Sequence, residues 1–246
     1  MIIRTALFYV LAFFFTFLLG GIQQAISIDP QLTALPQWGP GIAGLLMLLI
    51  FRKDDQKLNL KIKQVTSAKF WRALLIPLIP AALILPTVWI TQENFSFPKD
   101  LPPLLILLIS LGLGAFGEEI GWRGYLNVRL NWELKPLMSA LIVGTLWGLW
   151  HFGFYQNGPV FVLLAVIGFI GMSISMMILL QDINFNLWVA SLFHLGINIS
   201  SLIFLSVIDE TGFMLLYAAA WVAVAAIIVF FKRRSDRETV TTVLGE

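Results

Sequence analysis

The chain has 246 residues, of which 59% are hydrophobic and 12% charged; the formal net charge is +2 and there is no cysteine. Soluble domains carry about 25% charged residues, so this composition, with a mean hydropathy of +0.87, reads as a polytopic membrane protein. Without cysteine the chain forms no disulfide, thiolate zinc site or cysteine nucleophile, and a metal would need His, carboxylate or amide ligands.

Eight apolar spans follow in order: Thr5–Ile26, Pro40–Phe51, Phe70–Ile90, Leu101–Ile120, Leu137–Phe154, Val160–Leu180, Leu187–Ile208 and Phe213–Phe231. The first follows Arg4 and is long enough to span, so it reads as a retained helix rather than a cleaved signal. The second is short and reaches spanning length only if Leu35–Gly39 joins it. Its start, Trp38-Gly39-Pro40-Gly41, reads as a kinked helix entry, with Gly41 and Gly44 placed for close packing. Pro77, Pro80 and Pro86 predict kinks in the third. The fold class is therefore all-α, a bundle of about eight transmembrane helices over residues 1–231, followed by a polar, disordered tail over 232–246. No internal repeat of the transporter kind is visible.

The basic residues orient this bundle. Arg4, the cluster from Arg52 to Arg72, Arg129, Lys135 and the run from Lys232 to Arg237 all fall on one side of an eight-span count; Lys99 falls on the other. Lys and Arg avoid translocation, so both termini are expected in the cytoplasm of a multi-pass cell-membrane protein. The basic loop reads as a solvated inner loop that can also touch anionic lipid head groups. Lipid is the expected surroundings, and nucleic acid is not an expected partner.

One stretch is out of keeping with an apolar span: Gly117-Glu118-Glu119-Ile120-Gly121-Trp122-Arg123. A charge at the centre of a spanning helix costs roughly 2.5–3.5 kcal/mol, so a pair of adjacent carboxylates there needs compensation or use. Arg123 lies one turn after Glu119 on the same face, and Glu118 points about 100° away. The two histidines, His151 and His194, also lie in apolar spans, and Asn198 shares a face with His194. A lone histidine of this kind is as often a hydrogen bond between helices; two histidines with a carboxylate pair point to a site.

Glu plus His can deprotonate a water that attacks a carbonyl, while His plus Asn can donate to the resulting oxyanion. Alternatively, Glu118, His151 and His194 could hold a zinc ion that activates the water. Ser191, Ser200 and Ser201 lack a nucleophile-elbow context and read as small residues at helix contacts, and no His-Glu-x-x-His pattern is present. Trp122, Trp147 and Trp150 read mainly as interface anchors, with Trp147 and Trp150 also placed to wall a pocket. Tyr125 and Arg129 read as anchors too, and Asp182, Asn184 and Asn186 as turn residues.

Glu118-Glu119-x-x-x-Arg123, then Trp147-Gly148-Leu149-Trp150-His151, then His194-x-x-x-Asn198 resembles the CPBP family of intramembrane proteases, also called Abi, which is similar to the type II CAAX prenyl endopeptidase. With Trp38-Gly39-Pro40 the resemblance covers roughly residues 38–200. It implies an endopeptidase in which Glu118 and His151 activate water, His194 and Asn198 stabilise the oxyanion, and Glu119 and Arg123 support them. It implies a membrane-associated peptide or protein substrate, with peptide processing or bacteriocin self-immunity as family roles. Metal-dependent and glutamic mechanisms have both been described for the family; Asn198, a poor zinc ligand, favours the glutamic one. A non-catalytic immunity or scaffold protein and a proton-coupled transporter are the competing expectations.

The span ends create a conflict of depth. Glu118 lies about 17 residues, or ~25 Å, from the outer end of span four, and His151 about 14 residues, or ~21 Å, from the inner start of span five. Straight helices in a ~30 Å core would hold them at different depths, so span four or five is expected to be tilted, broken or to begin outside the hydrocarbon. Glu118 and His194 are expected nearer the cytoplasmic side, with access from there or from the inner leaflet.

Overall fold

The computed structural model describes residues 1–29, 32–54, 56–99 and 101–244. It is helical throughout: α1 (Ile2–Ala25), α2 (Gly39–Ile50), α3 (Ser67–Leu75), α4 (Leu78–Thr91), α5 (Leu104–Glu119), α6 (Val128–Asn131), α7 (Pro136–Trp150), α8 (Pro159–Leu180), α9 (Leu187–Leu202) and α10 (Thr211–Leu244). Five helical stretches are long and apolar enough to cross a membrane, and Leu35–Ile50, Pro136–Trp150 and Leu187–Leu202 are shorter apolar helices. These eight correspond to the eight expected spans. Large apolar side chains such as Phe14, Phe17, Ile90, Leu104 and Phe230 face outward, as lipid contact requires.

The third span breaks into α3 and α4 at Pro77, one of the expected kink sites and the N-cap of α4, because the proline ring cannot continue the preceding turn. Two boundaries differ from the sequence reading. The tail expected to be disordered from Lys232 onward continues α10 through Leu244; Gly245 and Glu246 lie outside the described residues. The fourth span does not end at Ile120. It passes through a π-helical segment, Ile120–Asn127, into α6 and ends at Asn131, a stretch of 28 residues from Leu104.

This last difference removes the depth conflict. Polar residues after Glu119 looked like the exit from the membrane, but they are buried: Trp122 and Arg123 are 0% exposed and Asn127 is 1% exposed. Glu118 is thus about 13 residues, or ~20 Å, from the α6–α7 turn, and His151, immediately after α7, is about 15 residues, or ~22 Å, from the same turn. Both arrive at one level of the bundle. Span four is also locally distorted there, since π turns bond i to i+5.

Glycine decides how α2 meets this segment. A Cβ on Gly41 would meet the Gly117 carbonyl oxygen, and one on Gly121 would meet the Pro40 carbonyl, so the two backbones touch directly. The expected close packing at Gly41 and Gly44 is present, and it fixes the helix that carries Glu118 and Glu119. From the other side, Gln56 Nε2 donates to the Gly124 and Tyr125 carbonyls at 3.0 and 2.9 Å, two acceptors in the π segment.

The loops gather on two faces. On one, Arg4 pairs with Asp54, Asn59 Nδ2 donates to the Ile183 carbonyl at 2.7 Å, and Asn186, the N-cap of α9, also donates to the Lys61 carbonyl at 3.0 Å. Asn184 adopts the left-handed conformation at φ +48°, as its reading as a turn residue requires. On the opposite face, Asn157 donates to Asp209 at 2.9 Å and Ser96 N to Ser206 at 2.9 Å. Gly121→Leu is expected to force α2 off this segment at a cost of at least about 1–3 kcal/mol; a thermal-unfolding midpoint in detergent unchanged from wild type would contradict the packing described.

Candidate active site

Six residues separated by up to 80 positions in the sequence converge between α5, α7 and α9. Glu118 and Glu119 end α5, His151 caps α7, and His194 and Asn198 lie on successive turns of α9. Glu118, Glu119, Arg123 and His194 are all at most 3% exposed.

The anchor of the group is Glu119. Its Oε1 accepts from Arg123 Nη1 at 2.9 Å and from His194 Nδ1 at 2.8 Å. A carboxylate can only accept, so Nδ1 of His194 carries hydrogen. That leaves Nε2 of His194 facing Glu118, 4.0 Å from its Oε1. The other Glu118 oxygen, Oε2, accepts from the indole N–H of Trp147 at 2.9 Å. Trp147 also lies under the Arg123 guanidinium, 4.2 Å from its centroid, and meets the His194 ring edge-on at 5.1 Å. One indole therefore touches three of the site's polar side chains.

His151 is held differently. Its Nδ1 is 2.9 Å from the Trp147 carbonyl, which can only accept, so the ring's Nε2 is left as a lone pair unless the ring takes a second proton. The ring packs against Phe169 at 4.4 Å and stacks on Phe154 at 5.5 Å.

Two cavities meet at His151. One, of about 240 Å³, has Glu118, Thr16, Gln37, Trp150, His151 and Phe152 in its wall. Trp150 Nε1 donates to Thr16 Oγ1 at 3.1 Å and Thr16 Oγ1 donates to the Pro36 carbonyl at 3.3 Å, which fastens the α1–α2 connection over this cavity. The other, of about 110 Å³, has His151, His194, Asn198 and Trp147 in its wall, with apolar residues of α8 and α10. Nδ2 of Asn198 is buried there without a hydrogen-bond partner, an amide donor aimed at no protein acceptor.

All six residues expected from the sequence are brought to this place. The role of Trp147 as a hydrogen-bond donor to Glu118 was not read from the sequence; its position one turn before His151, on the same face, was the available signal. Trp122 and Tyr125, expected as interface anchors, are instead core residues packed on Phe8 at ring separations of 5.4 Å, and Arg129 pairs with Glu133 at 2.8 Å. Ser200 donates to the Ile197 carbonyl of its own helix at 2.8 Å, in keeping with a packing role. Among the described residues no three His, Asp or Glu form a group that could hold a metal ion. Glu118, His151 and His194 thus do not fit a zinc sphere as they stand.

A family model described as type II CAAX prenyl endopeptidase Rce1-like matches residues 100–200, which include all six site residues. CAAX prenyl protease 2 of Methanococcus maripaludis is 41% identical over 59 residues, 24% of this chain and 21% of that protein. Lysostaphin resistance protein A of Staphylococcus epidermidis is 27% identical over 152 residues, 57% of this chain and 38% of that protein. The aligned regions thus span well under half the length of these curated relatives. The resemblance read from the motifs is borne out, with the family model beginning at residue 100 rather than 38.

Two substitutions test the network. Arg123→Met leaves Glu119 buried without its cation and is expected to cost about 3–5 kcal/mol, read as a lowered unfolding midpoint or loss of folded protein. Trp147→Phe keeps a ring under Arg123 and removes only the N–H, so the fold should persist while any Glu118-dependent turnover falls by about 10–100-fold; full turnover would show that the indole N–H does not orient Glu118.

Proposed function

We propose that this chain is an intramembrane endopeptidase that hydrolyses a peptide bond with water activated by Glu118 and His151. The observation that carries the reading is the paired arrangement around Glu118. Its carboxylate is buried, oriented by Trp147, and shares a cavity with a His151 ring whose Nε2 is a free lone pair. That cavity is large enough for several waters, each taking ~30 Å³.

In this reading Glu118, assisted by His151, takes a proton from water, and the hydroxide adds to the peptide carbonyl carbon. The carbonyl oxygen becomes an oxyanion that Nδ2 of Asn198 and Nε2 of His194 hold by donated hydrogen bonds. To donate through Nε2, His194 acts in its doubly protonated form, with Glu119 accepting from Nδ1. Collapse of the tetrahedral intermediate breaks the C–N bond, and the proton taken from water passes to the leaving amine. Glu119 and Arg123 position His194 and take no part in proton transfer. The family match and the CAAX prenyl protease 2 relative support the protease class; the lysostaphin resistance relative keeps a role in resistance or immunity as a biological setting for it.

Glu118→Gln keeps the shape and can still accept from Trp147, so abundance should be unchanged while cleavage is lost. Comparing peptide termini in membranes from cells expressing each form at equal abundance reads this directly; identical termini would sink the reading. Asn198→Ala is expected to lower kcat by about 10²–10³ with a small effect on KM, whereas an equal rise in KM alone would mark Asn198 as a binding residue.

A further inference from the structure

We infer that the site opens to the non-cytoplasmic face, and that its substrates are polypeptide segments lying on that side of the membrane; the substrate part rests on the endopeptidase reading above. This differs from the cytoplasmic access expected from the sequence, which followed from ending the fourth span at Ile120.

The two loop faces of the bundle differ in charge and in access to the site. One is formed by residues 51–54 and 56–66, the 132–135 and 181–186 turns, the start of α1 and the C-terminal part of α10, and it is tied together by the Asn59, Asn186 and Arg4 contacts. Apart from Lys99 and the buried Arg123, every Lys and Arg falls on this face. The opposite face is formed by the loops after α1, α4, α7 and α9, the last three of which meet through Asn157–Asp209 and Ser96–Ser206. Lys and Arg in short loops resist translocation, so the basic face is cytoplasmic.

Toward the basic face the site is closed. Beyond Glu119 come Trp122, Arg123, Tyr125, Leu126 and Asn127, all at most 2% exposed, and below them Gln56 bonds the π segment. Both cavities that hold site residues lie toward the other face. The Glu118 cavity has its rim at Pro36, Gln37, Phe152 and Gly153, in the loops after α1 and α7, where Phe152 is 39% exposed. The Asn198 cavity reaches Ile208 and Phe213, in the loop before α10 and at its start. A polypeptide reaching Glu118 by this rim comes from the face that carries Lys99.

The cysteine-free sequence makes the test direct. A Cβ at Gly153 meets no atom within 4 Å, so Gly153→Cys adds a thiol at the rim without crowding; Lys53→Cys marks the basic face. A membrane-impermeant maleimide added outside intact cells is expected to label Gly153→Cys and not Lys53→Cys, which should react only after the inner face is opened. The same labelling should abolish the peptide termini that depend on Glu118, and those termini should map to segments on the non-cytoplasmic side. Labelling of Gly153→Cys only from inside, labelling from outside with cleavage undiminished, or termini confined to cytoplasmic segments would each overturn the inference. Outside labelling with no Glu118-dependent terminus in any condition would remove the protease reading, and the substrate assignment with it, while leaving the direction of the opening in place.

Discussion

Oε1 of Glu119 receives two donors from two different helical segments, and the charge balance of the bundle interior turns on that atom. Arg123 and Glu119 neutralise each other, but Glu118 adds a second carboxylate in the same dry space. A buried carboxylate is costly without partners; the Trp147 N–H donates to Oε2 of Glu118, and His194 Nε2 lies 4.0 Å from its Oε1. The packing of α9 against α5 is also set here, because the His194–Glu119 bond crosses between them.

The π-helical segment follows from the same constraint. An unbroken α-helix carries polar residues past an apolar environment only if their side chains find partners on neighbouring elements. Widening the turns over Ile120–Asn127 alters the backbone bonding there, and Gln56 bonds the Gly124 and Tyr125 carbonyls. Direct backbone contact through Gly41 and Gly121 holds α2 against the segment. The region that looks least like a membrane helix in composition is therefore packed on both sides, and the fourth span runs on through it.

Much of this was legible in the sequence. Span positions follow from apolar runs, the break at Pro77 from proline chemistry, the α2 contact from the spacing of Gly41 and Gly44, and the six site residues from in-span polarity and helical spacing. The misreadings share one cause. Hydropathy treats a polar residue as a sign of water, so Trp122, Arg123, Tyr125 and Asn127 looked like an exit from the membrane. They are instead the buried polar interior of a bundle, where partners replace solvent. That single error moved the end of the span by eleven positions and placed Glu118 and His151 at unequal depths. Trp147 was underrated for a related reason: an aromatic residue near a span end resembles an interface anchor, and only its three-dimensional neighbours identify the N–H as a partner for Glu118.

The two histidines show how far partners, rather than residue type, determine chemistry. Both engage Nδ1 and leave Nε2 toward a cavity. His151 gives its Nδ1 hydrogen to a neutral carbonyl oxygen in a wall of aromatic rings, which leaves Nε2 as an acceptor in the singly protonated ring. His194 gives its Nδ1 hydrogen to the Glu119 carboxylate, and its Nε2 faces Glu118. The two rings therefore differ in what holds them from behind: the backbone carbonyl of Trp147 at His151 and the side-chain carboxylate of Glu119 at His194. The residue type is the same, and the surroundings set what each Nε2 can meet.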